Sequence, residues 1–567
     1  MRIKKVSETF FERAAVAAVH RNQKRLLTLF VLVLAVGRMG RAEADDAPLP
    51  PPDRAIEAVI DEFIDLGLQR AGVVAAPPAD DANFVRRATL DLAGRIPTTA
   101  ETQAYVQSSD PGKRALLVDR LIASPDFNYH QRNELDALLL PGQNNGEWRE
   151  YLLKAVQENR SWSQLFREVI LGREDNPAEK PALAFLKARA KNVDDLTNDT
   201  SKLFFGVSIN CAKCHDHPLV LDWTQDHYFG MASFFNRTYL TKKNFLAERD
   251  DGQLKFRTTA GVEKEARVMF LTGVAVDDPP APQLTEEQKQ AEAARRKEDE
   301  NRETPPAPAG YSRRAQIVEL ALKPDANGFF TRSFVNRFWH RLLGYGLVMP
   351  IDQMHSANKP SHPELLAWLA RDALYHNYDM RRLVRGIVLS RAYGRSSRYE
   401  GPGDRPVPRH FAVAAVKPLT PMQYALSLQI ATQNPAQLEA VFAKGDDWAN
   451  RRRDYENHAA GFANQLEMPG ENFQVGVNEA LLFSNGPQVQ REYLSESGDR
   501  LVGALKGATD RQQAVQTAFL TVYARPAEPD ELDAVLKYLS AREDRLAAGY
   551  QQVVWSLIAS GEFRFNY

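Results

Sequence analysis

The two cysteines of this chain stand in one short motif, Cys211-Ala212-Lys213-Cys214-His215. At that spacing two thiols lie about one helical turn apart, so both can add to the vinyl groups of one porphyrin while the next residue ligates its iron. Covalent haem c attachment is the chemistry the pattern points to, with Cys211 and Cys214 as anchors and His215 as the proximal ligand. Two other chemistries use the same atoms. A zinc ion suits a mixed Cys and His donor set, which Cys211, Cys214, His215 and His217 would supply. A reversible Cys-x-x-Cys disulfide leaves His215 unexplained and lacks a thioredoxin-like βαβ context.

Electron transfer through a haem calls for a ligand opposite the proximal histidine, whereas a catalytic haem keeps that position open. His217 sits too near the anchor to swing to the opposite face, and its Asp216-His217-Pro218 setting suits hydrogen bonding around the site or a second metal. Met231 could return on the next helix, although beside Phe234 it also reads as an apolar core position. His362 is the other candidate, with Met354 and His355 close by in sequence. Ser361 and Glu364 read as a capping box with Pro363 in the first helical turn, which would leave His362 exposed. Asp216, Asp222 and Asp226 cluster among these histidines, where acidic residues of loops are ordinarily turn formers rather than a hydrolytic pair. Arg337 and Trp339 read as core packing with a buried ion pair. No Gly-x-Ser-x-Gly, phosphate loop or dinucleotide fingerprint occurs, and the sequence makes no case for a particular enzyme.

The elements that must carry these residues are mainly helical. Residues 1–44 follow signal-peptide grammar: a basic stretch ending in Lys24-Arg25, an apolar run from Leu26 to Val36, and Ala42-Glu43-Ala44. That run is about half of the ~20 residues a membrane-spanning helix needs. No transmembrane span is expected, and the address is periplasmic or secreted. Residues 45–53 form a proline-rich spacer. A helical domain follows over 54–240, in which Phe84 to Gly94 keeps helical spacing and Thr98 with Glu101 forms a capping box. Over 241–311 the texture changes to a small β insertion, with strands at Leu254-x-Phe256 and Val268 to Leu271 and a turn at Asp251-Gly252. The same stretch ends in a charged linker or solvated helix, Thr285 to Glu303. A second helical domain occupies 312–567. The fold class is therefore mainly α: two helical domains with a small β insertion and a charged linker between them.

Charge narrows the partners. The chain has a formal net charge of -1, and residues 1–44 hold nine Lys/Arg against three Asp/Glu, so the remainder is acidic. It lacks the basic surplus that phosphate neutralisation demands, and no nucleic-acid partner is expected.

Asn210-Cys-Ala-Lys-Cys-His-Asp-His-Pro218, Trp223-Thr-Gln225 and Phe234-Phe-Asn-Arg237 resemble the planctomycete cytochrome-c-like secreted proteins, specifically their PSCyt-type domain of unknown function. The Phe84 to Pro97 segment is similar to the opening of that domain. Downstream, Phe334-Val-Asn-Arg-Phe-Trp339, Gly344-x-Gly-Leu-Val348, Pro350-x-Asp352 and Pro360-Ser-His-Pro-Glu-Leu-Leu366 resemble the PSD-type domain that follows it in the same family. The chain departs from the pattern at Gln225-Asp226-His227-Tyr228, where His227 stands as a local insertion or substitution. What residues and resemblance imply together is an exported c-type haem-binding protein serving redox electron transfer with a partner protein. The alternative is an exported structural or interaction module with a Zn site, linked to polysaccharide handling.

Overall fold

Apolar residues recurring every three to four positions produce helices from the proline spacer onward. The computed structural model describes residues 49–567, apart from 218–219, 280–284, 326–327, 443–444 and 471–472. The expected signal peptide and residues 45–48 of the spacer lie outside the described residues. Helix α1 (Ile56–Ala71) buries Ile56, Val59, Ile60, Ile64 and Leu68 along one stripe. Helix α2 (Asp81–Ala93) starts where the Asp80 carboxylate accepts the Asn83 N–H. Helix α3 (Thr99–Gln107) starts at the expected capping box, with Thr98 and Glu101 satisfying each other's backbone N–H groups.

The β insertion consists of three antiparallel two-stranded hairpins: Thr238–Leu240 with Leu246–Glu248, Lys255–Arg257 with Glu263–Glu265, and Val268–Met269 with Ala275–Val276. The Val268 strand is shorter than its apolar run, because Phe270 turns and its N–H pairs with the Val274 carbonyl at 2.9 Å. The charged segment is a helix over Glu286–Asn301, opened by a Thr285–Gln288 capping box. It is held to the first hairpin by the Lys242 N–H on the Glu300 carbonyl and by the Arg249–Glu300 ion pair. Among the described residues, no helix is long and apolar enough to cross a membrane.

The two helical regions on either side of this insertion pack against each other, and residues 51–567 form one compact unit. Buried arginines of α2 show why. Arg86 donates to the carbonyls of Val522 and Phe563, and Arg87 to those of Tyr393 and Arg395, all in the C-terminal half. An aromatic core spans the same seam. Trp162 and Phe166 face Phe204 at centroid distances of 5.5 and 4.7 Å, and Phe166 meets Phe330 at 5.0 Å. Each such pair adds about 0.5–1.5 kcal/mol beyond the burial of its area. The chain closes on itself where Lys417–Pro418 pairs antiparallel with Phe565–Asn566.

Candidate functional site around the Cys-x-x-Cys-His turn

Helix α4 (Val193–Phe205) points its C-terminus at the motif and ends at Gly206, whose φ of 66° favours glycine. A side chain there would also meet Met354 Sδ at 3.1 Å and Ser333 Oγ at 3.2 Å, so glycine lets the downstream loop come close. That loop pairs with the chain just before the motif. Val207 bridges Gln353 in antiparallel fashion, the Ser208 N–H donates to the Asp352 carbonyl at 2.7 Å, and the Met354 N–H to the Gly206 carbonyl at 3.0 Å. Arg337 clamps the same junction by donating to Asp352 and to the Lys202 carbonyl, an ion pair that is half-buried rather than buried, and Trp339 is fully buried.

The motif itself is a single 3₁₀ turn, Asn210–Lys213. Residues three apart eclipse in such a turn, which sets Cys211 and Cys214 on one side. Ala212 is buried and anchors the turn, while Cys211 and Cys214 are free and exposed and His215 is exposed. Lys213 pairs with Asp194, which also accepts from the Tyr228 hydroxyl at 2.5 Å. Gln225 braces the turn from behind: its amide donates to the Lys213 and Cys214 carbonyls at 3.3 and 3.4 Å and accepts from the Thr259 N–H at 3.1 Å. His215 Nδ1 lies 2.8 Å from the Asp216 carbonyl. A carbonyl has no proton to give, so Nδ1 is the donor and Nε2 keeps its lone pair.

After the motif the chain loops back. The His217 N–H donates to the Trp223 carbonyl at 2.8 Å, and His217 Nδ1 accepts the Val220 N–H at 3.1 Å, which puts the ring proton on Nε2. Trp223 is buried against Phe329, whereas Leu221 stands 95% exposed at the loop. Asp222 accepts from the Ser356 N–H and hydroxyl at 2.7 and 2.6 Å. Partial burial pushes the Asp222 carboxyl up, but these two hydrogen bonds outweigh it and hold its pKa below the usual value. His355, next to Ser356, is lowered by burial, drawn back up by Asp222 and lowered again by His217, so these three groups share one electrostatic neighbourhood.

The remaining residues singled out in the sequence fall elsewhere. Met231 is fully buried in helix α5 (Gln225–Ala232), the apolar position that was its alternative reading. His227 explains the departure at 225–228: as the third residue of α5 its Nδ1 accepts the Thr224 N–H at 3.4 Å, as the third residue of a capping box does, and lies 2.9 Å from the Thr224 hydroxyl. The carboxylates are committed to structure, Asp216 accepting the Gln225 N–H at 2.9 Å and Asp226 pairing with Lys264 at 2.6 Å. His362 is not exposed but 8% accessible. It is itself the N-cap of helix α6 (Pro363–Tyr375), and Ser361 hydrogen-bonds its Nδ1 instead of forming the capping box with Glu364. Its ring packs on Phe411 and on the face of Gly67 in α1, and burial together with His410 lowers its pKa to about 4. Its charged neighbours, His410 and Glu364, are not those of His355. Among the described residues, no three or more His, Cys, Asp or Glu side chains converge as a group that could hold a metal ion.

Gln225, Asp222, Ser356 and His355 are the residues that sequence spacing alone does not bring together, because their meeting depends on the pairing of 206–208 with 352–354. Comparison with known proteins gives the same two-part order. The family model PSCyt2, protein of unknown function (DUF1549), matches residues 59–239, and PSD1, protein of unknown function (DUF1553), matches residues 313–437. No curated protein and no solved structure matches the chain. The chain thus belongs to the family in which a PSCyt2-type domain is followed by a PSD1-type domain, both of unknown function.

Proposed function

We propose that the chain is an exported c-type haem-binding protein whose role is redox electron transfer. The observation that carries this reading is the tautomer of His215. Its Nδ1–H is spent on the Asp216 carbonyl, leaving the Nε2 lone pair on an exposed ring beside two free, exposed thiols. A histidine that ligates a metal characteristically donates its other nitrogen in this way, which fixes the ring and raises its basicity.

The donor set fits a porphyrin better than a bare ion. A porphyrin takes the two thiols at its rim and the imidazole at its centre, so these three atoms need not converge. A zinc site needs four donors around one point. Here no such group converges among the described residues, and His217 spends Nδ1 on the Val220 N–H. Cys211 and Cys214 would hold the group and His215 would ligate its iron, which supplies one-electron chemistry when bound. The chain's own contribution is rigidity, through the buried Ala212, the Lys213–Asp194 pair and the Gln225 brace.

The full chain, produced in a host that attaches haem after export, should stain for haem on a denaturing gel and show a reduced α band. Cys211→Ala with Cys214→Ala should abolish both. Colourless protein containing one equivalent of zinc would overturn the haem reading and select the metal-stabilised module.

A further inference from the structure

We propose that His355 would be a second imidazole ligand to the group that Cys211, Cys214 and His215 would hold, an inference that rests on the haem reading above. Two staples fix the loop that bears it. At one end Ser208 donates to the Asp352 carbonyl and Met354 to the Gly206 carbonyl, a few residues before Cys211. At the other end Ser356 donates twice to Asp222, eight residues after Cys214. The motif is therefore bracketed on both flanks by one short loop of the downstream domain, and His355 lies between the staples.

The histidines around the motif differ in what their nitrogens do. His215 uses Nδ1 on the Asp216 carbonyl, His217 uses it on the Val220 N–H, and His227 uses it on Thr224. His355 Nδ1 is buried and has no hydrogen-bond partner among the described residues. Its ring is therefore not tied as those of the other three are and can turn to present a nitrogen, and histidine meets a metal through either Nδ1 or Nε2. His362 has no such vacancy in its surroundings, since it packs on Gly67 and Phe411 with Nδ1 against the Ser361 hydroxyl. Two imidazole ligands would leave no open coordination position, which selects electron transfer over catalysis at this site. They would also make the downstream domain part of the redox centre.

The test uses the haem-loaded full chain. Wild type should be low-spin in the ferric state and should not bind carbon monoxide when reduced. His355→Ala should lose the low-spin spectrum, gain carbon monoxide binding, and recover the low-spin spectrum on addition of free imidazole. His362→Ala should leave the spectrum unchanged. A low-spin spectrum retained in His355→Ala, or a wild type that is already high-spin and binds carbon monoxide, would overturn the assignment of His355 while leaving the haem reading intact. Colourless wild type would overturn the haem reading itself, and this ligand with it.

Discussion

The Asp222 carboxylate receives both the backbone N–H and the hydroxyl of Ser356, at 2.7 and 2.6 Å, across 134 residues of sequence. The bond joins the loop after the Cys-x-x-Cys-His turn to the PSD1-type part of the chain, so its strength should set how firmly the motif is seated. The pair is partly solvated, which limits the loss on Ser356→Ala to about 1 kcal/mol. The acid dependence follows from the depressed pKa of Asp222. Its stabilisation is present above the unfolded carboxyl value near 4 and is lost as pH falls through the lower folded value. Urea unfolding of wild type and Ser356→Ala should therefore differ at pH 7 and converge in acid. A difference that persists unchanged at the lowest pH would show that the carboxylate does not hold the loop.

Gln225 is the second seat of the motif, and its removal should be felt locally. Gln225→Leu keeps the size of the side chain but leaves the Thr259 N–H without its acceptor and the Lys213 and Cys214 carbonyls without their donor. The expected cost is about 1–3 kcal/mol. Amide exchange should accelerate across 211–216 while α2 keeps its protection. Uniform acceleration across the chain would mean that Gln225 supports the fold at large rather than this turn.

His362 contributes a different pH dependence. Buried on Gly67, it has a folded pKa of about 4 against an ordinary 6.5, so the folded state holds it neutral. Below about pH 6.5 the unfolded chain takes up a proton that the folded chain refuses, and stability falls until pH reaches the folded value. The loss can reach ~3 kcal/mol, and His362→Gln should flatten this limb of the profile. Gly67→Ala tests the same contact at neutral pH, because its Cβ would lie 2.6 Å from His362 Nε2. That overpacking should cost about 1–3 kcal/mol and should be partly relieved when His362→Ala is added. Strictly additive losses in the double variant would place the two residues out of contact.

Local signals were legible wherever short-range chemistry decides. The Thr98–Glu101 box, the solvated Thr285 helix and the helical spacing of Phe84 to Gly94 all depend on neighbours within a few positions. The Ser361–Glu364 box has the same spelling but does not form, because the buried His362 ring takes the Ser361 hydroxyl and becomes the N-cap. Burial of that ring against α1 is a long-range fact with no local mark. The packing of the two helical regions against each other has no local mark either. Arg86 and Arg87 are buried on carbonyls from Tyr393 to Phe563, which fuses the two helical regions. At the site, the Cys-x-x-Cys-His turn was legible, whereas His355 depends on a strand bridge between Val207 and Gln353 that periodicity does not encode.

The same fusion makes Asp126 a critical charge. Its side chain is 2% exposed and accepts from Arg95 Nε at 3.0 Å, Trp448 Nε1 at 3.0 Å and Arg452 Nε at 2.6 Å. Arg452 continues to Glu456, which also pairs with Arg132 and Arg149, so one buried network ties the PSCyt2-type region to the C-terminal helices. Asp126→Ala would remove the counter-ion that two buried guanidinium groups share, although Arg95 keeps Glu101 and Arg452 keeps Glu456, and the expected cost is about 1.5–3 kcal/mol. Asp126→Asn keeps an acceptor for Trp448 but not the charge, and should recover only part of that loss. If Asn restored full stability, the network would be acting through hydrogen-bond geometry alone. If Ala were tolerated, Glu101 and Glu456 would suffice to hold the two arginines. In either case the two regions should still unfold in one transition, since Arg86 and Arg87 join them independently of Asp126.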